Sequence, residues 1–424
     1  MSRIGAWLRG LRYDLPRGVY VLQAGLLINA FGNGAANPFL LLYLHNVRGI
    51  PLVVAGLVSA SGAVCALVLT LAAGSIADRR GAVPTMIAGL VCSAFAFALY
   101  PLIRLPWHAF VVATLAWSGA GVWLTMQSSV LALITPPQLR HAAFAQQRVV
   151  ANVGLGVGGF VGGMIVTTSR PSTFTVLFLL NAITFLAYTG FLLRLTLPRT
   201  PRQALTGAAA GYRAVLRDGG YRRLAVVNLA VIVGAISLLN GVFPVYAKNH
   251  AGVSESAIGA FFLLNSVTII VCQLPVARAV EGHRRVRALT LMGALFSACW
   301  LQVAAAGALT DATFVLLALA CGIITMSLAE CLYDAVLAPL TADLAPEGLL
   351  GRYMAVNGFI WQIGFIAGPP IGALLLGTTG SGLWYIMAVL CAIGGGYALL
   401  LERRLPHHAR RTPRRAPAVV AEAP

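Results

Sequence analysis

Residues 52–81 read LVVAGLVSASGAVCALVLTLAAGSIADRRG. From Leu52 to Ala77 no side chain is charged, and then Asp78, Arg79 and Arg80 arrive together just before Gly81. About 20 apolar residues in a helix cross a hydrocarbon core of ~30 Å. The stretch therefore reads as one membrane crossing followed by its exit into water.

The same pattern recurs along the chain. Apolar runs fall at 19–45, 52–77, 83–103, 108–134, 142–168, 173–196, 221–247, 255–278, 286–308, 312–340, 351–376 and 381–401. Of the 424 residues, 59% are hydrophobic and only 10% are charged. So few charges cannot cover a water-facing surface, so lipid is the solvent for most of the chain. The runs are continuously apolar instead of alternating, which predicts helices and excludes a barrel. The expected fold class is an all-α membrane protein with twelve transmembrane helices.

A net charge of +18 raises the question of nucleic acid, but its distribution answers otherwise. With both termini inside, only Arg48, Arg104, Arg170 and Lys248 of the 30 basic residues fall on outside loops. The rest cluster on inside segments, from Arg3, Arg9 and Arg12 to Arg410, Arg411, Arg414 and Arg415. This asymmetry orients the helices, and it predicts contact with anionic lipid headgroups at the cytoplasmic face and no nucleic-acid partner. The first residues are basic and polar, and the first apolar run is too long for the core of a cleaved leader, so no signal peptide is expected. The seven cysteines (65, 92, 272, 299, 321, 331, 391) all lie within the runs, without metal-site spacing, and read as small packing residues. No metal or cofactor is expected.

The chain also matches itself. At an offset of 203, Asn37 falls on Asn240, Tyr43 on Tyr246, Gly49 on Gly252, Gly56 on Gly259 and Asp78 on Glu281. At an offset of 210, Pro136 falls on Pro346, Gly154 on Gly364, Gly158 on Gly368 and Gly162 on Gly372. Two six-helix halves of the same orientation follow, 1–196 and 221–401. A cytoplasmic linker at 197–220 joins them, and a basic tail at 402–424 is expected to be disordered. Parallel duplicated halves are a transporter architecture.

The segment Gly74-Ser-Ile-Ala-Asp78-Arg79-Arg80-Gly81 resembles the loop signature GxxxDRxG of the major facilitator superfamily, between its second and third helices. In that family this loop steadies one conformational state. By residue chemistry, Gly74 lets helices approach, Asp78 can oppose a helix N-terminus, and Arg79 and Arg80 can pair with acids. The second copy, PVARAVEGHRR (275–285), keeps the acid as Glu281 and loses the glycine. Arg148, Asn152, Gly154, Gly156, Gly158, Gly159, Gly162 and Gly163 in the fifth run are similar to the glycine ladder of drug:proton antiporters, with Gly159 where that branch has proline. The eleventh run holds the better copy, Gly364, Gly368, Pro369, Pro370 and Gly372. Ordinary close packing of helices would use the same small residues. The fourth run reads Leu115-Ala-Trp117-Ser-Gly119-Ala-Gly121 and lacks the arginine many drug antiporters carry there, so a relay built on that arginine does not transfer. The resemblance implies a secondary transporter of the multidrug-efflux branch, in a bacterial inner membrane, monomeric and not an enzyme.

Within the tenth run, SLAECLYDAVLA (327–338) sets Glu330 and Asp334 four residues apart, on one helix face. Ionisable groups at membrane depth are costly and mark function. Two neighbouring carboxylates repel each other's charge, so one of them readily carries a proton. Glu330, the deeper, reads as the carrier, and Asp334 as its relay or as a binder of cationic substrate. The alternative is that either acid pairs with Arg148 or Arg352 and only locks helices. Asn29, Asn33 and Asn37 form a second polar stripe on the first run, and Asn240 is the counterpart of Asn37 on the seventh. Gln127 and Trp123 of the fourth run join them as candidate substrate contacts, and Asn265, Gln273, Trp361 and Gln362 stand behind. No phosphate-cradling loop or nucleophile constellation is present in the sequence. The expectation is proton-coupled export of small amphipathic molecules. An importer or uniporter of the same fold, or a non-transporting sensor or assembly partner, are the alternatives.

Overall fold

The computed structural model describes residues 15–136, 139–195, 215–346 and 349–412. The residues 1–14, most of the expected linker and 413–424 lie outside them, together with Arg3, Arg9, Arg12, Arg414 and Arg415. The described chain is nearly all helical. The long helices are α1 (Arg17–Ala36), α2 (Leu52–Arg80), α3 (Ala82–Leu99), α4 (Pro106–Ile134), α5 (Arg140–Ile165) and α6 (Pro171–Leu193). They continue with α7 (Gly219–Val231), α8 (Glu255–Ala279), α9 (Arg285–Ala306), α10 (Ala312–Leu344), α11 (Leu350–Thr379) and α12 (Gly382–Leu401). Eleven helices among the described residues are long and apolar enough to cross a membrane. The line of α1 is not one of these, because Gln23, Asn29 and Asn33 dilute its apolar character.

The repeat is visible in the backbone. After α1 the chain tightens into a 3-10 turn at Asn37–Phe39, where Pro38 cannot donate to the helix ladder. At the matching place the line of α7 passes through a π segment at Ile232–Ile236 and breaks at Asn240 before resuming at Val242–Asn249. A π turn leaves a carbonyl without its usual partner, and the Trp300 indole on α9 donates to Gly234 O at 2.7 Å. Gly49 and Gly252 turn the chain with φ of +66° and +67°, a conformation that costs glycine nothing.

Two compact units divide the chain, and their borders do not follow the two six-helix halves. The first comprises 1–204, 237–267 and 365–381, and the second 205–236, 268–364 and 382–424. The first unit thus takes in Ser237–Val267 and Phe365–Ser381 of the second half, and close helix contacts explain why. A Cβ on Gly56 of α2 would lie 3.0 Å from Ala373 Cβ, Pro369 O and Pro370 Cα of α11. A Cβ on Gly259 of α8 would lie 2.6 Å from Gly159 O and 2.9 Å from Gly163 Cα of α5. Gly56 matches Gly259 at one offset, and Gly159 and Gly163 match Pro369 and Ala373 at the other. The same seam is built twice.

The glycine ladder of α5 has two working faces. Gly154, Gly158 and Gly162 lie on α1, where added Cβ atoms would meet Ala30 Cβ at 2.6 Å, Phe31 O at 2.0 Å and Ala35 O at 2.5 Å. Gly156, Gly159 and Gly163 lie on α8, against Ser266, Phe262 and the Glu255 carbonyl. In the second copy, Gly364 abuts Ile232, and Gly372 abuts Leu238 and Val242. In the second unit α9 packs between α10 and α12, and Trp300 stacks on Trp384 with ring centroids 4.6 Å apart.

Residues 402–412 differ from the expected disordered tail. They fold back so that Gly282 N donates to Thr412 O, Thr412 N to His283 O and Arg285 N to Arg410 O, each within 3.1 Å. Burial of Leu405 and Ala409 anchors them, and a basic, proline-containing stretch gives no warning of such a contact in its composition.

Backbone-to-backbone packing predicts the outcome of enlarging these glycines. Gly158→Val should destabilise the protein by about 1–3 kcal/mol through overpacking. Gly190→Ala, where a Cβ meets nothing within 4 Å, should be neutral or stabilising by up to ~1 kcal/mol. Thermal unfolding of both variants in detergent tests the contrast, and equal behaviour of the two would contradict the packing assigned to α5.

Candidate functional site

Twelve acidic residues occur in the chain. Glu330 and Asp334 stand apart because they lie inside a spanning helix, away from its ends. Both are half-buried on α10. Continuous helix from Ala312 to Leu344 holds them about one turn apart on one face. The Glu330 carboxylate is close enough to act electrostatically on the buried Cys299 thiol of α9.

At Tyr333, one residue before Asp334 and three after Glu330, a polar chain passes through α10 within the second unit. Trp361 Nε1 donates to Tyr333 OH at 2.6 Å, and Tyr333 OH donates to Asn228 Oδ1 at 2.8 Å. Asn228 Nδ2 in turn donates to Asn357 Oδ1 at 2.8 Å. Four residues from α7, α10 and α11 are thereby fixed in one donor direction, ending on the half-buried Asn357 amide. Asn228 is fully buried and Tyr333 is nearly so, so the chain holds the acid-bearing turn of α10 in register with its neighbours. Sequence reading placed Trp361 among lesser candidates and passed over Asn228, Tyr333 and Asn357. An asparagine inside each of two apolar runs was the available signal.

In the first unit the three asparagines of α1 bond to one another. Asn33 Nδ2 donates to Asn29 O and Oδ1 at 3.0 Å, and Asn37 Nδ2 donates to Asn33 Oδ1 at 3.2 Å. The ladder runs from buried Asn29 to exposed Asn37. Asn29 Nδ2 and, on α6, Asn181 Nδ2 are buried donors without an acceptor among the described residues. Asn240, also exposed, sits at the break after Ser237–Leu239. Trp123 and Gln127 are buried: the Trp123 ring meets Phe185 edge-on at 6.1 Å, and Gln127 is 2% exposed. Both face protein packing, as a large aromatic and an amide on the inner side of a helix do.

The motif residues after α2 separate into two groups. Arg79 and Arg80 are exposed, and Gly81 makes the turn with φ +94°. The side chain of Asp78 lies outside the described residues. Gly74 does not have the close-packing role its spacing suggests, since a Cβ there would meet nothing within 4 Å. In the second copy a glycine does turn the chain: Gly282, one residue after half-buried Glu281, has φ +76°. On α5, Arg148 is exposed and Asn152 Nδ2 donates to Arg148 O at 3.0 Å. Gly368 and Pro369 are buried.

A further polar cluster ties the outer segments within the first unit. Glu255, 7% exposed at the start of α8, accepts from Thr168 N at 2.9 Å, Thr168 Oγ1 at 2.6 Å and Lys248 Nζ at 2.9 Å. Such charge-assisted bonds are stronger than neutral ones. Nearby in sequence, Asn46 and Asn249 exchange amide bonds, Nδ2 to Oδ1, at 2.6 and 3.1 Å. They are 203 residues apart, the repeat offset itself, so the pair joins equivalent positions of the two copies. The Glu255 cluster has no such twin, because Leu52 occupies the position that matches Glu255, although Thr378 matches Thr168. His250 stacks on Tyr246 beside it, and burial lowers its imidazole below the usual range. Sequence reading treated Lys248 as a stray outside charge, although it is the chain's one lysine. Arg48, another of those charges, is also engaged: it lies over the Tyr43 ring and bonds to Tyr43 OH and Pro101 O.

Comparison with known proteins agrees with this geometry. A family profile described as Major Facilitator Superfamily matches residues 23–246 and again 224–423. The chain is 25% identical over 398 residues to the uncharacterized MFS-type transporter YhjO of Bacillus subtilis, covering 92% of this chain and 93% of that one. It is 23% identical over 295 residues to the multidrug resistance protein MdtH of Aeromonas salmonicida, covering 70% and 71%. Among solved structures it resembles the D-xylose-proton symporter (TM-score 0.73, 14% identity, 93% and 99% covered). It also resembles the nucleoside transporter NupG (TM-score 0.70, 15% identity, 91% and 99% covered). These structures share the fold. With matches spanning both copies of the repeat and helices of membrane length throughout, the chain belongs to the major facilitator superfamily of secondary transporters.

Proposed function

We propose that this protein exports small, amphipathic, cationic compounds in exchange for protons across a bacterial inner membrane, with both chain ends in the cytoplasm. The observation that carries the reading is the pair of half-buried carboxylates one turn apart on α10. Water is scarce at that depth, and two carboxylates one turn apart disfavour each other's charge, so one of them can carry a proton. Glu330 is the proton carrier and Asp334 the relay or cation contact. The likeness to a multidrug resistance protein supports outward transport.

Alternating access requires the outer seam to open and close. The Asn46–Asn249 pair and the Glu255 cluster are the polar bonds of that seam, and the two glycine contacts are its apolar part. Breaking three charge-assisted bonds to Glu255 without replacement is unfavourable. Opening is therefore expected to expose Glu255 to water, which replaces them.

Proton coupling has a thermodynamic signature. In liposomes with a one-unit pH gradient, one proton exchanged per monovalent compound, at zero membrane potential, supports about tenfold accumulation. Wild-type protein should approach that ratio, and Glu330→Gln should fall to no accumulation while still exchanging labelled compound at near the wild-type rate. Asp334→Asn should weaken accumulation without abolishing it. Uphill transport unchanged in Glu330→Gln would remove that residue from the proton path, and loss of folded protein would instead favour the helix-locking alternative.

The seam makes a separate prediction. Oxidising an Asn46→Cys/Asn249→Cys double variant should halt transport, and a reductant should restore it. Full cross-linking with transport undiminished would show that these residues need not part.

A further inference from the structure

The folded-back tail borders an open pocket of about 500 Å³ in the second unit, lined by Arg284, Leu399, Glu402, His407, Arg410 and Arg411. Three guanidiniums meet one carboxylate there. Arg284 Nη1 bonds to Glu402 Oε1 at 2.8 Å, with side chains 48% and 30% exposed. Arg410 spends only its Nε, on Leu405 O at 3.0 Å, and Arg411 is exposed. Among the described residues no carboxylate pairs with the guanidinium of Arg410 or Arg411. The neighbouring residue adds to the imbalance. Arg285 is 1% exposed, and its single ion pair runs from Nη2 to Asp343 Oδ2, leaving Nε and Nη1 buried without partners among the described residues. The Thr412 hydroxyl is likewise buried and without a partner there.

The walls of this pocket are held by backbone pairing. Arg284 and Arg411 form an antiparallel bridge, flanked by the bonds from Gly282 N to Thr412 O and from Arg285 N to Arg410 O. Like-charged arginines held side by side repel one another, and that arrangement is relieved by an anion with several acceptor oxygens. Leu399 contributes an apolar edge. It lies in the last turn of α12, where Leu399 and Leu400 are each 53% exposed. A helix end of this kind meets the headgroup layer of a bilayer.

We propose that the tail pocket is a binding site for a phosphate-bearing anion, its phosphate held by Arg284, Arg410 and Arg411. Either a phospholipid headgroup entering past Leu399 or a soluble phosphate ester offers this chemistry. Glu402 is the internal competitor, since it occupies Arg284 when the anion is absent. Binding is independent of transport and is measured without it.

The test uses the full-length protein in a neutral detergent, titrated with short-chain phosphatidylglycerol, short-chain phosphatidylcholine and glycerol phosphate, with binding followed by thermal stabilisation. Phosphatidylglycerol should stabilise the wild type. Arg410→Ala/Arg411→Ala should weaken that binding about tenfold or more, the loss expected for charged hydrogen bonds. Glu402→Gln should strengthen it, and Arg194→Ala, at an exposed arginine just after α6, should leave it unchanged. Stabilisation by glycerol phosphate as well identifies a site for the phosphate group alone, and stabilisation by phosphatidylglycerol only identifies the attached lipid as its source. Equal stabilisation by phosphatidylcholine, no response to either anion, or an unaltered response in the double arginine variant would each overturn the proposal. Weaker binding in Glu402→Gln would overturn it too, even if the double variant failed to fold.

Discussion

The absence of water around the helices governs the rest of this structure. In lipid, apolar side chains give no preference for helix against helix, so association depends on close van der Waals approach and a few polar bonds. That explains why α5 carries glycine on two faces and why Gly56 and Gly259 lie directly on backbone atoms of α11 and α5. It also explains why the polar groups inside the bundle come as linked sets. The Asn29–Asn33–Asn37 ladder and the Trp361–Tyr333–Asn228–Asn357 chain are each joined by side-chain hydrogen bonds.

Duplication supplies the second layer of order. Equivalent glycines turn the chain at Gly49 and Gly252, and equivalent asparagines mark the helix breaks at Asn37 and Asn240. Equivalent seams join α2 to α11 and α8 to α5, and Asn46 meets Asn249 between matching positions. The departures from symmetry are where chemistry concentrates. Glu255 is matched by Leu52, and Glu330 and Asp334 are carried by α10 alone. Among the described residues the scaffold thus repeats its seams and not its membrane-depth acids.

The sequence was most legible where solvent dictates pattern. Run length and charge-poor composition revealed the spanning helices, and residues of rare type, such as Asn37 and Asn240, exposed the repeat. Legibility failed where contacts join distant segments. The role of Glu255 went unread because Thr168 is far from it in the chain, and Asn228, Tyr333 and Asn357 belong to three different helices. Gly74 shows the opposite error: its spacing suggests a close contact, and the space beside it is open. The ordered residues 402–412 escaped notice because backbone pairing with 282–285 leaves no mark on composition.

Under the proposed exchange, a carboxylate on α10 gives up its proton when a transported compound binds. Adding such a compound to the purified protein in weakly buffered detergent, with a pH indicator present, measures this directly. Release of about one proton per protein, absent in Glu330→Gln despite retained binding, is the expected result. Identical proton release from the wild type and that variant would contradict it.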